Sequence, residues 1–156
     1  MNPPTGNNAV QAPVTRMIIV AAGSSVRFGG STPKQYQTIL GKPALYWTIK
    51  ACLGLVPPER IHVVIHPDHA DFYAAARQHI DAPLAPPIIG ANTRQASVHN
   101  AVRHLAAVGT PNDKVLVHDA ARIAIHPDDI AAVIGGLDGH SAVTLAAPVT
   151  ETLREK

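Results

Sequence analysis

The run Arg16-Met17-Ile18-Ile19-Val20-Ala21-Ala22-Gly23-Ser24-Ser25 decides the fold class. Its apolar stretch does not alternate with polar residues, so it reads as a strand buried on both faces, the kind that a parallel sheet between two helix layers requires. It stops at Gly23 in a string of small residues. Downstream, Pro43 opens an amphipathic stretch to about Leu55, with Leu45, Thr48, Ile49 and Cys52 at helical spacing, and Pro57-Pro58 ends it. The alternation then repeats. Strands are predicted at Ile61–Ile65, Pro87–Gly90, Lys114–His118 and Ala142–Ala147. Helices are predicted from about Asp68 to His79, along the apolar stripe Val98, Ala101, Val102 and Leu105, and from Pro127 to Gly135-Gly136. Five strands alternating with four helices predict an α/β fold, a Rossmann-like and mostly parallel sheet with helices on both faces. Ligands of such sheets bind beyond the carboxyl ends of the strands. The loops after residues 22, 90 and 118 are therefore where chemistry is expected.

Composition narrows the class. With 156 residues, 46% of them hydrophobic, the chain can bury one core without a disulfide or a structural metal. The reading is a tail over residues 1–14 and a single domain over 15–156. Cys52 is the only cysteine, which excludes an internal bridge and favours a reducing, cytoplasmic compartment. No segment has the length of a membrane span, and the opening MNPPTGNNAVQAP lacks the pattern of a secretory signal. The 13 basic and 11 acidic side chains form no basic run with interleaved aromatics, so no nucleic-acid partner is expected.

Three loops hold the unusual residues. In AAGSSVRFGGSTPKQY, Ala21, Ala22 and Gly23 let a backbone approach a ligand closely, while Arg27 and Lys34 bring two cations to the same loop. Phosphate is the natural guest, although no Walker A or dinucleotide fingerprint is present; a solvated turn with two surface cations would look the same. In GANTRQASV, Asn92 and Gln95 have capping-box spacing, and the helix that follows offers its positive end, with Arg94 and Ser97 on its first turn. Plain capping would again suffice. In VHDAAR, Asp119 at a strand's carboxyl end, close to Arg122, suits either a magnesium ligand beside a phosphate or an ion pair that fixes the loop. His62, His66 and His69 collect on no single face with a Cys or Glu to complete a zinc site. Cys52 belongs to the core stripe, no serine sits in a GxSxG elbow, and Tyr36, Tyr46 and Trp47 read as packing residues.

The three segments occur in order at successive strand ends, and together they resemble the 2-C-methyl-D-erythritol 4-phosphate cytidylyltransferase family from about Arg16 to Arg154. The resemblance implies the nucleotidyltransferase fold and transfer of CMP from CTP to methylerythritol phosphate with Mg²⁺, pyrophosphate leaving. It implies Arg27 and Lys34 as catalytic cations, and Ala21, Ala22, Gly23, Ala91, Asn92, Arg94 and Ser97 around CTP. Asp119 is implied for metal and substrate, with Arg122 and Thr152 on the second substrate, in a homodimer. Departures are Ile123, where relatives commonly have proline, and Gly90-Ala91, where they have Gly-Gly. Family members also continue past this point, so the domain is expected to be truncated at its carboxyl end, with an incomplete acceptor site. The same loops would serve another sugar-phosphate acceptor such as ribitol phosphate, or a fragment that binds CTP without turnover. The first segment alone would also fit a molybdopterin nucleotidyltransferase.

Overall fold

The computed structural model describes residues 13–24 and 32–148. Six strands and four helices follow in the order β1 (Thr15–Ala21), β2 (Thr38–Ile39), β3 (Lys42–Pro43), α1 (Ala44–Cys52), β4 (Ile61–Ile65), α2 (Ala70–Arg77), β5 (Ile88–Ile89), α3 (Arg94–Val108), β6 (Lys114–Asp119) and α4 (Pro127–Gly136). Four strands form one sheet in the order β5-β4-β1-β6, and every pairing in it is parallel. β2 and β3 make a separate hairpin, which the sequence reading did not anticipate. Its turn places Leu40 and Gly41 at φ 49° and 75°, the positive pair that a tight hairpin turn demands. Only Gly41 signals that geometry; Leu40 accepts it at a cost of about 1 kcal/mol.

The central strand was legible because both of its faces are buried. Met17, Ile19 and Ala21 pack with Leu45, Ile49 and Cys52 of α1, Tyr73 and Ala76 of α2, and Ile130 of α4. Ile18 and Ala22 pack on the other face with Val64 and with Ala101 and Leu105 of α3. The stripe assigned to α1 is the one found: Leu45, Thr48, Ile49 and Cys52 are all fully buried. Burial pushes the Cys52 thiol up to about 12, so it stays an un-ionised core group. Pro127 starts α4 where expected, with the His126 ring accepting the Asp128 N–H as a cap. No helix among the described residues is long and apolar enough to cross a membrane.

Three local expectations need correction. The buried stripe of α3 is Ser97, Ala101 and Leu105, not Val98 and Val102; Val102 is exposed. Apolarity misled here because the residue in contact with the sheet is the small polar Ser97. The helix is capped by Thr93, whose hydroxyl accepts the Ala96 N–H at 3.1 Å, and not by Asn92. Residues 142–147 form no strand. A strand exists only through a partner's ladder, and this segment instead crosses the end of α4, where Val143 lies against Gly136 and Leu145 remains exposed. Val14, just before β1, is tied to the turn that feeds β6: its N–H donates to Asp113 Oδ1, and its carbonyl accepts the Lys114 N–H.

Candidate active site

The chain runs outward from β1 to β4 and β5, then crosses back to lay β6 on the other side of β1. The strand order therefore reverses between β1 and β6, and at such a point the loops diverge and leave a crevice beyond the strands' carboxyl ends. A cavity of about 730 Å³ occupies it. Its lining includes Ala22, Gly23 and Ser24 after β1, Lys34, His66 after β4, Ala91 to Arg94 and Ser97 around the start of α3, and Asp119 at the end of β6 with Arg122 beyond it. Lys34, Ala22, Gly23, Ala91, Asn92, Arg94, Ser97, Asp119 and Arg122 are thus brought together as the sequence suggested. Ala21 lies just beneath, fully buried as the last residue of β1. Arg27 and Thr152 lie outside the described residues.

Each wall has an internal strut. The Gln35 carboxamide, buried beneath the first loop, donates to the Ala21 carbonyl at 2.7 Å and to the Gly23 carbonyl at 2.9 Å. Sequence reasoning passed over this residue; its only signal was a polar side chain next to Lys34 and the core residue Tyr36. The Ser97 hydroxyl accepts the Ala91 N–H at 2.9 Å and lies 2.8 Å from the Thr93 carbonyl and 3.1 Å from the Ala91 carbonyl. It thereby holds the loop that precedes α3 in place at the edge of the cavity. On the third side, Ala120 N–H donates to the Val20 carbonyl and Thr48 Oγ1 to the Ala120 carbonyl at 2.9 Å. This ties the residue after Asp119 to β1 and to α1.

The floor is the tightest place. A Cβ on Gly90 would stand 2.5 Å from the Ala22 Cβ, 2.9 Å from the Ser97 Oγ and 3.2 Å from the Ile65 carbonyl. Gly90→Ala is accordingly expected to destabilise the domain by about 1–3 kcal/mol through overpacking, and to spread the β1 loop from α3. Urea denaturation together with nucleotide titration checks this; wild-type values in both would refute the close-approach argument.

Charge is concentrated at the mouth. Asp119 Oδ1 accepts from Arg94 Nε at 2.8 Å, and Oδ2 forms an ion pair with Arg122, whose Nε lies 3.0 Å away. Partial burial pushes the Asp119 carboxyl up. The Arg94 hydrogen bond, the charges of Arg94 and Arg122, and His118 outweigh it and hold the group below the usual carboxylate range. His118 itself sits 2.9 Å from the Arg122 carbonyl. Asp119 is the single acidic residue among the described lining residues, beside Lys34, Arg94 and Arg122. The net positive mouth suits a polyanion. A second cavity of about 840 Å³, between β6 and α4, is lined mainly by Met17, Leu116, Ile130, Val133, Leu137 and Val143, and offers mostly apolar wall.

A parallel α/β sheet with a cationic crevice at its strand-order reversal defines the class of folds that receive nucleotides and their phosphates at the carboxyl edge. Residues 15–156 match the family IspD: 2-C-methyl-D-erythritol 4-phosphate cytidylyltransferase, and the chain belongs to that family. It is 37% identical over 139 residues to the 2-C-methyl-D-erythritol 4-phosphate cytidylyltransferase of Cereibacter sphaeroides, covering 89% of this chain and 60% of that protein. It is 39% identical over 145 residues to the protein of the same name from Ralstonia nicotianae, with 88% and 57% covered. With the bifunctional enzyme IspD/IspF of Paramagnetospirillum magneticum it shares 37% over 140 residues, 90% of this chain and 35% of that one. The chain thus spans about three-fifths or less of these relatives. A crystal structure of a 4-diphosphocytidyl-2C-methyl-D-erythritol synthase superposes with a TM-score of 0.66 at 25% identity, over 84% of this chain and 57% of the other.

Proposed function

We propose that the protein transfers CMP from CTP to the phosphate of 2-C-methyl-D-erythritol 4-phosphate and releases pyrophosphate. The observation that carries this reading is the convergence of Lys34, Arg94, Arg122 and Asp119 on one cavity at the sheet's switch point, in a chain of this family.

The chemistry asks little of a protein base. A phosphate monoester has a second pKa near 6, so near pH 8 the acceptor is a dianion whose oxygen attacks the α-phosphorus directly. The new P–O bond forms as the bond to the β-phosphate breaks, and the electron pair leaves with pyrophosphate. What the site must supply is alignment and positive charge where negative charge accumulates. Lys34 supplies that charge at the attacked α-phosphate, together with Arg27 from the same loop. The small residues Ala22 and Gly23 allow the nucleotide close to the backbone, and the Ala91–Ser97 segment closes the pocket on the other side. By the family pattern Arg122 and Thr152 serve the second substrate.

Magnesium fits this donor set in one way only. A single carboxylate satisfies an octahedral ion when substrate phosphates and water complete the shell, so Asp119 would hold it. When bound, Mg²⁺ would neutralise phosphate charge and stabilise the leaving group. The family likeness extends the proposal to a cytoplasmic homodimer.

The test is pyrophosphate release from CTP and Mg²⁺ with methylerythritol phosphate, with ribitol phosphate, and with no acceptor. Release confined to methylerythritol phosphate is expected. Release confined to ribitol phosphate would transfer the protein to a different acceptor, and silence in all three would refute the activity.

A further inference from the structure

The Asp119 carboxylate has one guanidinium on each oxygen, Arg94 Nε at 2.8 Å from Oδ1 and Arg122 Nε at 3.0 Å from Oδ2. The two arginines come from opposite sides of the crevice. Arg94 is the first residue of α3, and Arg122 lies in the loop three residues beyond Asp119. Their side chains are 61% and 77% exposed against 27% for Asp119, so the anion is held by the sheet while the cations are on long, solvent-facing stems.

We propose that Arg94 and Arg122 form an internal counter-ion that keeps Asp119 closed to divalent metal until a nucleotide draws the arginines away. The inference rests on the metal-dependent reading above and goes beyond it by assigning the two arginines a gating role. A Mg²⁺-sized ion must lie about 2.0–2.1 Å from its oxygen ligand. Against a carboxylate already clamped at both oxygens, it would meet two positive charges a few ångströms away. Arginine matches a carboxylate and a phosphate with the same planar donors. A triphosphate entering the cavity therefore gives the guanidiniums an alternative partner and brings the metal its remaining oxygen ligands. The exchange is cheap because both arginines are exposed, and pairs on exposed side chains are individually weak. Metal and nucleotide should then bind with positive coupling, each tightening the other by the same factor. A plain positioning role makes the opposite demand. If the arginines merely aimed the carboxylate at the metal, removing one would weaken metal binding.

The measurement is protein-bound Mn²⁺, counted by equilibrium dialysis with the same Mn²⁺ and CTP on both sides of the membrane, for wild type, Arg94→Gln, Arg122→Gln and Arg94→Lys, each with and without CTP. Circular dichroism confirms folding. Without CTP, each glutamine variant is expected to bind Mn²⁺ about fivefold tighter than wild type, with Arg94→Lys between. The Mn²⁺–CTP coupling should shrink by a similar factor. Unchanged or weaker Mn²⁺ binding in both glutamine variants, with Mn²⁺ still retained when CTP is present, overturns the gate and leaves the metal-dependent reading standing. If Mn²⁺ does not bind even with saturating CTP, that reading fails and the gate with it.

Discussion

Lys34→Ala is expected to lower the rate of pyrophosphate release by about 10²–10³-fold, the usual effect of deleting one preorganised charge from a transition state, while the protein stays folded. Lys34 opens a single-turn 3-10 helix, Lys34–Tyr36, and its side chain is exposed at the cavity. The neighbours that hold the turn are different residues. Gln35 anchors it to the Ala21 and Gly23 carbonyls, and Tyr36 stacks on Phe72 in the core. A substitution at Lys34 therefore removes charge from the site and little packing from the fold. The loss should fall mainly on kcat, because charge developing on the leaving group is met only as the bond breaks. Lys34→Arg should recover part of the rate, since the charge returns on a different geometry. Turnover within a few-fold of wild type, at unchanged melting temperature, would falsify the assignment of Lys34.

The largest stability effect is expected at Asp113, far from the chemistry. Its side chain is 3% exposed and pairs with Arg16 at 2.7 Å. It also accepts from the Val14 N–H, the Thr110 N–H and the Thr110 hydroxyl. One carboxylate thus ties the start of β1 to the turn that feeds β6. Burial raises its pKa, but the hydrogen bonds from Thr110, Arg16 and Val14 win and hold it well below the usual carboxylate range. Asp113→Ala leaves Arg16 without its carboxylate, with only the Val108 carbonyl 3.3 Å away among the described residues, leaves three donors unmet, and should destabilise the domain by about 3 kcal/mol. That corresponds to a fall in Tm of roughly 6–12 °C for a chain of this size.

The pH dependence of that stability has a fixed sign. A carboxylate depressed in the folded state contributes its full stability above the unfolded value of 3.8, and loses it as pH falls through and below that value. A second group acts at higher pH. His62 is buried with no hydrogen-bond partner on either ring nitrogen among the described residues, and burial, then His104 and Arg16, lower its pKa from 6.5 to about 4. The unfolded chain takes up that proton first, so stability declines as pH drops from 6.5 toward 4. Urea denaturation from pH 7 to pH 3 should show the His62 limb in both proteins, and a limb below pH 4 that is steeper in wild type than in Asp113→Ala, where the depressed Asp119 still contributes. An Asp113→Ala protein with an unchanged lower limb would remove Asp113 from the account.

Much of the fold was legible because its signals were local. The unbroken apolar run of β1, the spacing of Leu45, Thr48, Ile49 and Cys52, and Pro127 at the head of α4 each announce burial or a boundary within a few residues. What misled was also local. Residues 142–147 have the apolarity of a strand, but a strand is a relation to a neighbour, and here no ladder reaches them. Asn92 had the right chemistry for a cap, and Thr93 one position on took the role because the backbone turns there.

The sequence by itself determined the α/β class, the three loops whose described residues line the crevice and, through AAGSSVRFGGSTPKQY, GANTRQASV and VHDAAR in order, the family to which the chain belongs. Only the tertiary structure decided how those residues are employed. It spends the Ser97 hydroxyl on its own loop, places the Gln35 strut under Ala21 and Gly23, and sets Arg94 and Arg122 on the two oxygens of Asp119. The physical reason is that contacts such as Gln35 to Gly23 and Arg94 to Asp119, 12 and 25 positions apart, depend on where the strands end in space, and no periodicity along the chain encodes that.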